Sequence, residues 1–280
     1  PKLGSASKVW LNHSLEYLNK QLNGNLVFFN GDPKECLEKL MDFFDVQEIS
    51  WNRCYEPWII RRDKNLKVYF NKKLKVNSFN GSLLWEPWKI LKNDGTPYKI
   101  YTPFFKRGCL SASNPRIPTS EKINFFNHNF SATSVRDLGL LNNKRWEKEI
   151  LADWRVGEEN AIEIMKSFFQ NGVKDYSEGR NFPIKKNVSR LSPYLHWGQI
   201  SPNTLWYESN KLKHVRENDV EVFKSELGWR EFAYYLLYHF PDLQKNNLKR
   251  NFDNFKWLED ESNFKKWSKG FTGIPIVDAG

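Results

Sequence analysis

Apolar residues recur at helical spacing through Val9, Leu11, Leu15, Leu18 and Leu22, and a short apolar run from Leu26 to Phe29 closes at Asn30 and Gly31. That pattern predicts a helix followed by a strand. Asp32 before Pro33 offers a capping carboxylate and a first-turn proline, after which Cys36, Leu37, Leu40, Met41 and Phe44 mark one face of a second helix. A strand fits Val46 to Trp51, a basic helix runs through Leu66 and Phe70, and a further strand lies near Val76 to Phe79. Strands alternating with helices argue for a parallel sheet with crossover helices, so residues 1–106 read as the later part of a doubly wound α/β domain. No Gly-x-Gly-x-x-Gly and no Gly-Lys-Ser/Thr loop occurs there, so the nucleotide sites built on those motifs are not supported.

From residue 107 to about 150 the periodicity fades into Ser, Asn, Pro and Lys, the signature of a connector. Beyond it the pattern is helical. Ala161, Ile164, Met165 and Phe168 form one amphipathic stripe. Ser192-Pro193 and Ser201-Pro202 each set a capping hydroxyl before a first-turn proline, and a longer helix runs from about Val220 to Phe240, stopped by Pro241. Residues 151–280 therefore read as a helical domain.

With 280 residues, 40% of them apolar, the chain has ample material for packed cores. No stretch approaches the roughly 18 uninterrupted apolar residues of a membrane span, and the start lacks a charged-then-apolar signal segment. The three scattered cysteines, Cys36, Cys54 and Cys109, suit neither a disulfide framework nor a zinc or iron–sulfur site, so no metal is expected and a reducing cytoplasm is the simplest compartment. A formal charge of +10 favours a polyanionic partner, because Lys and Arg that neutralise phosphates release condensed counterions. Aromatic residues make up 16% of the chain. Most must fill core volume; some are candidates to stack on a cofactor or base.

Two stretches carry candidate chemistry. Around Tyr176, Val188, Ser189, Arg190, Leu191 and Ser192, hydroxyls and free N–H groups at a helix start would form an anion site suited to a diphosphate. Ser192 acting only as a cap explains the same residues. In the long helix, Phe223, Glu226 and Arg230 share a face, with Trp229 beside it. The plain alternative is an exposed Glu226–Arg230 ion pair, which does not call for the two rings.

Three long motifs carry a resemblance. Ser-Arg-Leu-Ser-Pro-Tyr-Leu-His-Trp-Gly-Gln-Ile-Ser-Pro at 189–202, Glu-Leu-Gly-Trp-Arg-Glu-Phe at 226–232 and Trp-Ser-Lys-Gly-Phe-Thr-Gly-Ile-Pro-Ile-Val-Asp-Ala-Gly at 267–280 resemble the DNA photolyase/cryptochrome family, most closely its class I cyclobutane pyrimidine dimer photolyases. The first half agrees through Trp-Leu-Asn-His-Ser-Leu at 10–15, Trp-Asn-Arg-Cys-Tyr-Glu-Pro at 51–57 and Tyr-Thr-Pro-Phe-Phe-Lys at 101–106.

The resemblance implies a partial Rossmann-like antenna domain, a connector and a partial helical FAD-binding domain, a segment cut at both ends. It implies a deoxyribodipyrimidine photo-lyase, a carbon–carbon lyase in which blue light drives an electron from reduced FAD into pyrimidine dimers in damaged DNA. Tyr176 and Val188 to Ser192 would hold the flavin phosphates, and Phe223, Glu226 and Arg230 would line the cofactor cavity. Glu226, Trp229 and Arg230 would meet the DNA, with Trp229 stacked on the flipped dimer. Trp267 matches the outermost member of an electron-relaying tryptophan chain; packing under its glycine-containing turn explains it equally well. A folate or deazaflavin antenna belongs to the implied picture, without assigned residues. A monomer is expected. A cryptochrome-type photoreceptor and a noncatalytic basic DNA-binding module are the alternatives.

Overall fold

The computed structural model describes residues 3–126, 130, 133–142 and 144–280. Pro1 and Lys2 of the expected α/β domain, and residues 127–129, 131, 132 and 143 of the expected connector, lie outside the described residues. The chain forms two compact units, residues 1–239 and 240–280.

In the first unit, strand β1 (Glu48–Asn52) pairs in parallel with strand β2 (Lys75–Phe79), Ile49 opposite Val76 and Trp51 opposite Ser78. A parallel pair needs a crossover, and helix α3 (Pro57–Phe70) supplies it, burying Phe70 completely. Helix α1 (Ser5–Gln21) buries Val9 and Trp10. Helix α2 (Pro33–Phe43) starts as its sequence predicts, the Asp32 carboxylate accepting from the Lys34 and Glu35 N–H groups ahead of Pro33. The strand expected at Leu26–Phe29 is reduced to a single antiparallel bridge between Phe28 and Thr133. An apolar run becomes a strand only beside a continuous partner, and among the described residues it meets one bridging residue of the connector. Phe130 of that connector packs on Phe29 and Phe43.

The amphipathic stripe forms the helix Glu158–Ser167, which continues as a π-helical turn over Phe168–Gly172. Ser201 caps the helix Pro202–Ser209 by accepting from the Asn203 N–H at 3.1 Å. Ser192 does not act the same way. Leu191 occupies the cap and Ser192 is the first residue of the short helix Ser192–His196, because Arg190 at φ +54° has already turned the chain. The long helix spans Glu217–His239, ending just short of Pro241. No helix among the described residues is long and apolar enough to cross a membrane.

The expected boundaries at 106 and 150 fall inside the first unit, where one aromatic core continues from Trp10, Trp85 and Phe104 through Phe168 and Tyr194 to Phe232 and Tyr235. Polar ties reinforce it. The Tyr98 N–H donates to the Tyr235 hydroxyl at 2.9 Å, and the Tyr101 hydroxyl donates to the Ser225 carbonyl at 2.6 Å. Gly228 lets the long helix approach closely, since a Cβ there would stand 2.5 Å from the Phe105 ring. At the centre, Glu231, only 3% exposed, accepts from the Leu84 and Trp85 N–H groups at 2.9 and 3.2 Å. Burial pushes its carboxyl up to about 7, against the lowering effect of Arg230 and the two N–H donors.

The second unit holds the helix Glu261–Ser268, capped by the Asp260 carboxylate on the Asn263 N–H at 2.9 Å. Asp278 holds the turn that follows that helix by accepting from the Thr272 and Gly273 N–H groups.

Glu231→Ala leaves two buried N–H donors without an acceptor and is expected to lower unfolding free energy by ~2–4 kcal/mol in chemical denaturation. Because the folded value of this carboxyl is raised, its contribution is complete below about pH 4.5 and is lost as the pH rises through about 7. Glu231→Gln, which keeps an acceptor oxygen and cannot ionise, should flatten that fall in stability between these pH values. An identical slope in the variant would count against a buried titrating carboxyl.

Candidate active site

The site is assembled from the start of the long helix. Asp219, fully buried, accepts from the Asp175 and Ser177 N–H groups at 3.1 and 2.8 Å, from the Ser177 hydroxyl at 2.7 Å and from Arg216 Nε at 3.0 Å. Burial alone would raise its pKa, but Ser177 and the Arg216 guanidinium more than reverse it and hold the carboxyl down at about 2. This clasp fixes the turn carrying Tyr176. The Tyr176 ring then stands 5.5 Å from Phe168 and 5.9 Å from Phe223, in an edge-to-face cluster that sets both rings as a wall.

A second wall comes from the reversal at Arg190. The Ser189 hydroxyl accepts from the Leu191 N–H at 3.4 Å, the Arg190 guanidinium lies 4.1 Å over the Trp154 ring, and Tyr194 is fully buried with its hydroxyl on the Arg155 carbonyl. A left-handed backbone at a residue other than glycine is uncommon and persists only where its surroundings impose it.

Between these walls and the long helix lies a cavity of about 800 Å³, within the range of small-molecule sites. Tyr176, Ser189, Leu191, Ser192, Phe223, Glu226 and Arg230 all line it, so the two stretches singled out in the sequence converge. Glu226 and Arg230 each find a partner outside their own helix. Glu226 pairs with Arg180, whose guanidinium that contact keeps firmly charged. Arg230 donates to the Ser82 carbonyl at 2.6 Å and lies 5.0 Å over the Tyr234 ring.

Other expected residues stand apart. Val188 is exposed, and Arg190 meets the cavity only through Trp154. Trp229 is 48% exposed and stacks on Tyr101 at 3.7 Å, off the cavity lining. Trp267 belongs to the second unit, where it is 60% exposed and lies 5.9 Å from Phe264.

The sequence reading missed several lining residues. Tyr234 extends the helical series 223, 226, 227, 230 by one more turn, a periodic signal that was present. Trp10, Trp154 and Trp197 come from other elements; Trp10 and Trp197 lie within motifs that carry the resemblance, but no local pattern assigns any of the three to a cavity. Trp10 Nε1 is a buried donor without a partner among the described residues, on a side chain that lines the cavity. An orphaned donor, two serines, a guanidinium and aromatic walls fit a large planar ligand that carries acceptor atoms and phosphates.

Residues 1–121 match the DNA photolyase domain family, and residues 223–280 match the FAD-binding domain of DNA photolyase. The second match makes FAD the cofactor of this helical region, and the cavity chemistry is compatible with it. A deoxyribodipyrimidine photo-lyase of Agrobacterium fabrum is 38% identical, the alignment covering 99% of this chain and 60% of that protein. Cryptochrome-2 of Arabidopsis thaliana is 28% identical over 99% of this chain and 48% of its own length. The crystal structure of a bacterial class III photolyase from Agrobacterium tumefaciens superposes with a TM-score of 0.93 at 37% identity, over 99% of this chain and 59% of that one. The chain thus spans about half to three fifths of the length of these relatives. The motifs resemble class I enzymes and the solved relative is a class III enzyme, so family rather than subclass is what these similarities support.

Asp219→Ala is expected to lower stability by ~2–4 kcal/mol, because the Asp175 and Ser177 donors and the Arg216 charge lose their shared acceptor. The depressed carboxyl contributes stability that is present above about pH 4 and lost as the pH falls toward 2, a decline that urea unfolding across that range should show and Asp219→Asn should lack. A wild-type profile flat through this range would refute the clasp.

Proposed function

The chain belongs to the DNA photolyase/cryptochrome family, and from that premise we propose that it serves light-driven repair, splitting cyclobutane pyrimidine dimers in DNA. The observation that carries the reading is the convergence of Tyr176, Ser189, Leu191, Ser192, Phe223, Glu226 and Arg230 on one cavity, with the half-exposed Trp229 ring one residue from Arg230. When bound and reduced, FAD supplies the photoexcited electron that opens the cyclobutane ring and that afterwards returns.

The protein's own work is to bind, orient and exclude water. Basic side chains of a chain with net charge +10 dock the phosphate backbone. Drawing the dimer out of the duplex costs a few kcal/mol, less at a lesion whose pairing is already disturbed. Trp229, backed by Tyr101 at 3.7 Å, offers a rigid platform for the extruded bases, and Glu226, oriented by Arg180, presents a carboxylate to their polar edges. Ser189, Ser192 and Arg230 hold the phosphates and polar edge of the cofactor, while Tyr176 and Phe223 keep the ring region dry. Trp267 is assigned the outer step of the electron relay. An α/β part over residues 1–106, a connector over 107–150 and a helical part over 151–280 make up the proposed organisation of a cytoplasmic monomer; a folate or deazaflavin antenna is a family feature to which no residue is assigned.

Cryptochromes among the relatives supply the rival reading, a flavin photoreceptor without repair. Glu226 beside Trp229 favours repair, since signalling has no need of lesion contacts. The test is loss of thymine dimers from an oligonucleotide under blue light, with FAD and a reductant added. Glu226→Gln is expected to slow repair tenfold or more, about 1.4 kcal/mol of barrier. Trp229→Ala should weaken binding of dimer-containing DNA by ~1–3 kcal/mol without changing flavin uptake. Bound, reduced flavin with no dimer loss would favour the photoreceptor, and a protein that takes up no flavin would favour a noncatalytic DNA-binding module.

A further inference from the structure

A different stripe of the long helix, residues 218, 221, 222 and 225, faces a second cavity of about 610 Å³. Tyr101, Phe105 and Trp206 form much of its wall, and Lys106 and Lys224 lie on its lining with Ser225. None of these residues lines the first cavity, although Tyr101 also backs Trp229.

The walls are held in place from behind. Tyr101 is pinned by its 3.7 Å stack on Trp229 and by the bond from its hydroxyl to the Ser225 carbonyl, and Phe105 stacks beside it with the planes 11° apart. Trp206 is buried and braced edge-on by Trp85 at 5.3 Å. Rigid aromatic walls make a surface that a planar ring can meet at little entropic cost.

Lys224 is the second half of the argument. Its ammonium lies 4.8 Å over the Trp206 ring and donates to the neutral Asn210 side-chain oxygen. Burial pushes its pKa down, and Glu221 reverses this only in part. A cation already partly stripped of water, with an amide, a ring and a Glu221 carboxylate that offsets its burial only in part as neighbours, gains more from an incoming anion than a hydrated surface lysine does. Lys106 adds a second, exposed charge on the same lining.

A bare phosphate would satisfy the lysines and leave the part-exposed Tyr101 and the edges of Phe105 and Trp206 that reach the cavity unmatched; an uncharged apolar ligand would do the reverse. One ligand chemistry answers both. We propose that the second cavity binds a nucleotide, its base against Tyr101, Phe105 and Trp206 and its phosphate at Lys106 and Lys224. The site requires no flavin and does not rest on the repair reading, though it shares Tyr101 with the support of Trp229. A free mononucleotide and a nucleotide within a DNA strand share this chemistry.

The test titrates thymidine 5′-monophosphate and a single-stranded hexathymidylate separately into the protein by calorimetry at low salt. Saturable binding of both with similar affinity identifies the free nucleotide as the source, and clearly tighter hexathymidylate binding identifies a DNA strand. Lys224→Gln is expected to weaken either about tenfold and Lys106→Gln about threefold, each lessening the salt dependence. Lys106 is exposed, so Lys106→Gln decides the matter if Lys224→Gln fails to fold. Glu226→Gln, in the other cavity, should retain nucleotide binding, and flavin uptake read by absorbance should be unchanged in both lysine variants. The proposal is overturned by no saturable binding of either probe at about 10 mM, by affinities that both lysine variants leave unchanged, or by inorganic phosphate binding as tightly as the nucleotide.

Discussion

The carboxylate of Glu231 is the point on which the first unit turns. It brings a formally charged group into the aromatic core to satisfy two backbone N–H groups, of Leu84 and Trp85, that no secondary structure serves. The segment following β2 is thereby fastened to the middle of the long helix. Arg230, the next residue back, then reaches the Ser82 carbonyl from the same stretch, and Tyr235, one turn on, takes the Tyr98 N–H. Without those ties the face carrying Glu226 and Arg230 would have no fixed relation to the residues opposite it.

The long helix is partitioned by its periodicity. Residues 223, 226, 227, 230 and 234 face the first cavity, 218, 221, 222 and 225 the second, and Glu231, Phe232 and Tyr235 the core. Trp229, at 225 plus four, continues the second stripe, lines neither cavity and leans on Tyr101, which lines the second. Gly228 makes this arrangement possible, since the helix backbone comes within contact of Phe105 and Tyr101 at a place where any side chain would collide.

Two buried carboxylates on this helix titrate in opposite directions. Asp219, in its first turn, has a guanidinium and several short donors, and the free N–H groups of the helix start favour negative charge. Glu231, in mid-helix, has two N–H donors and an Arg230 nitrogen at 3.5 Å, too little to offset its burial. Donors and position, more than burial itself, separate the anion from the group poised near neutrality.

Much of this was legible in the residues themselves. The 3.6-residue periods placed α1, α2, α3 and the long helix; Asp32-Pro33 and Ser201-Pro202 marked real helix starts; 176–192 suggested a site through hydroxyls and N–H groups at a helix start, and 223–230 through polar and aromatic residues on one face. Local chemistry fixes such features because their partners lie within a few residues. The Leu26–Phe29 strand, the capping role of Ser192, the Arg180–Glu226 pair, the lining by Trp10 and Trp154 and the burial of Glu231 were settled only by tertiary structure. Each depends on a group tens to more than a hundred residues away or on a backbone reversal, and the free energy of a strand, an ion pair or a buried charge is set by what stands opposite it in space.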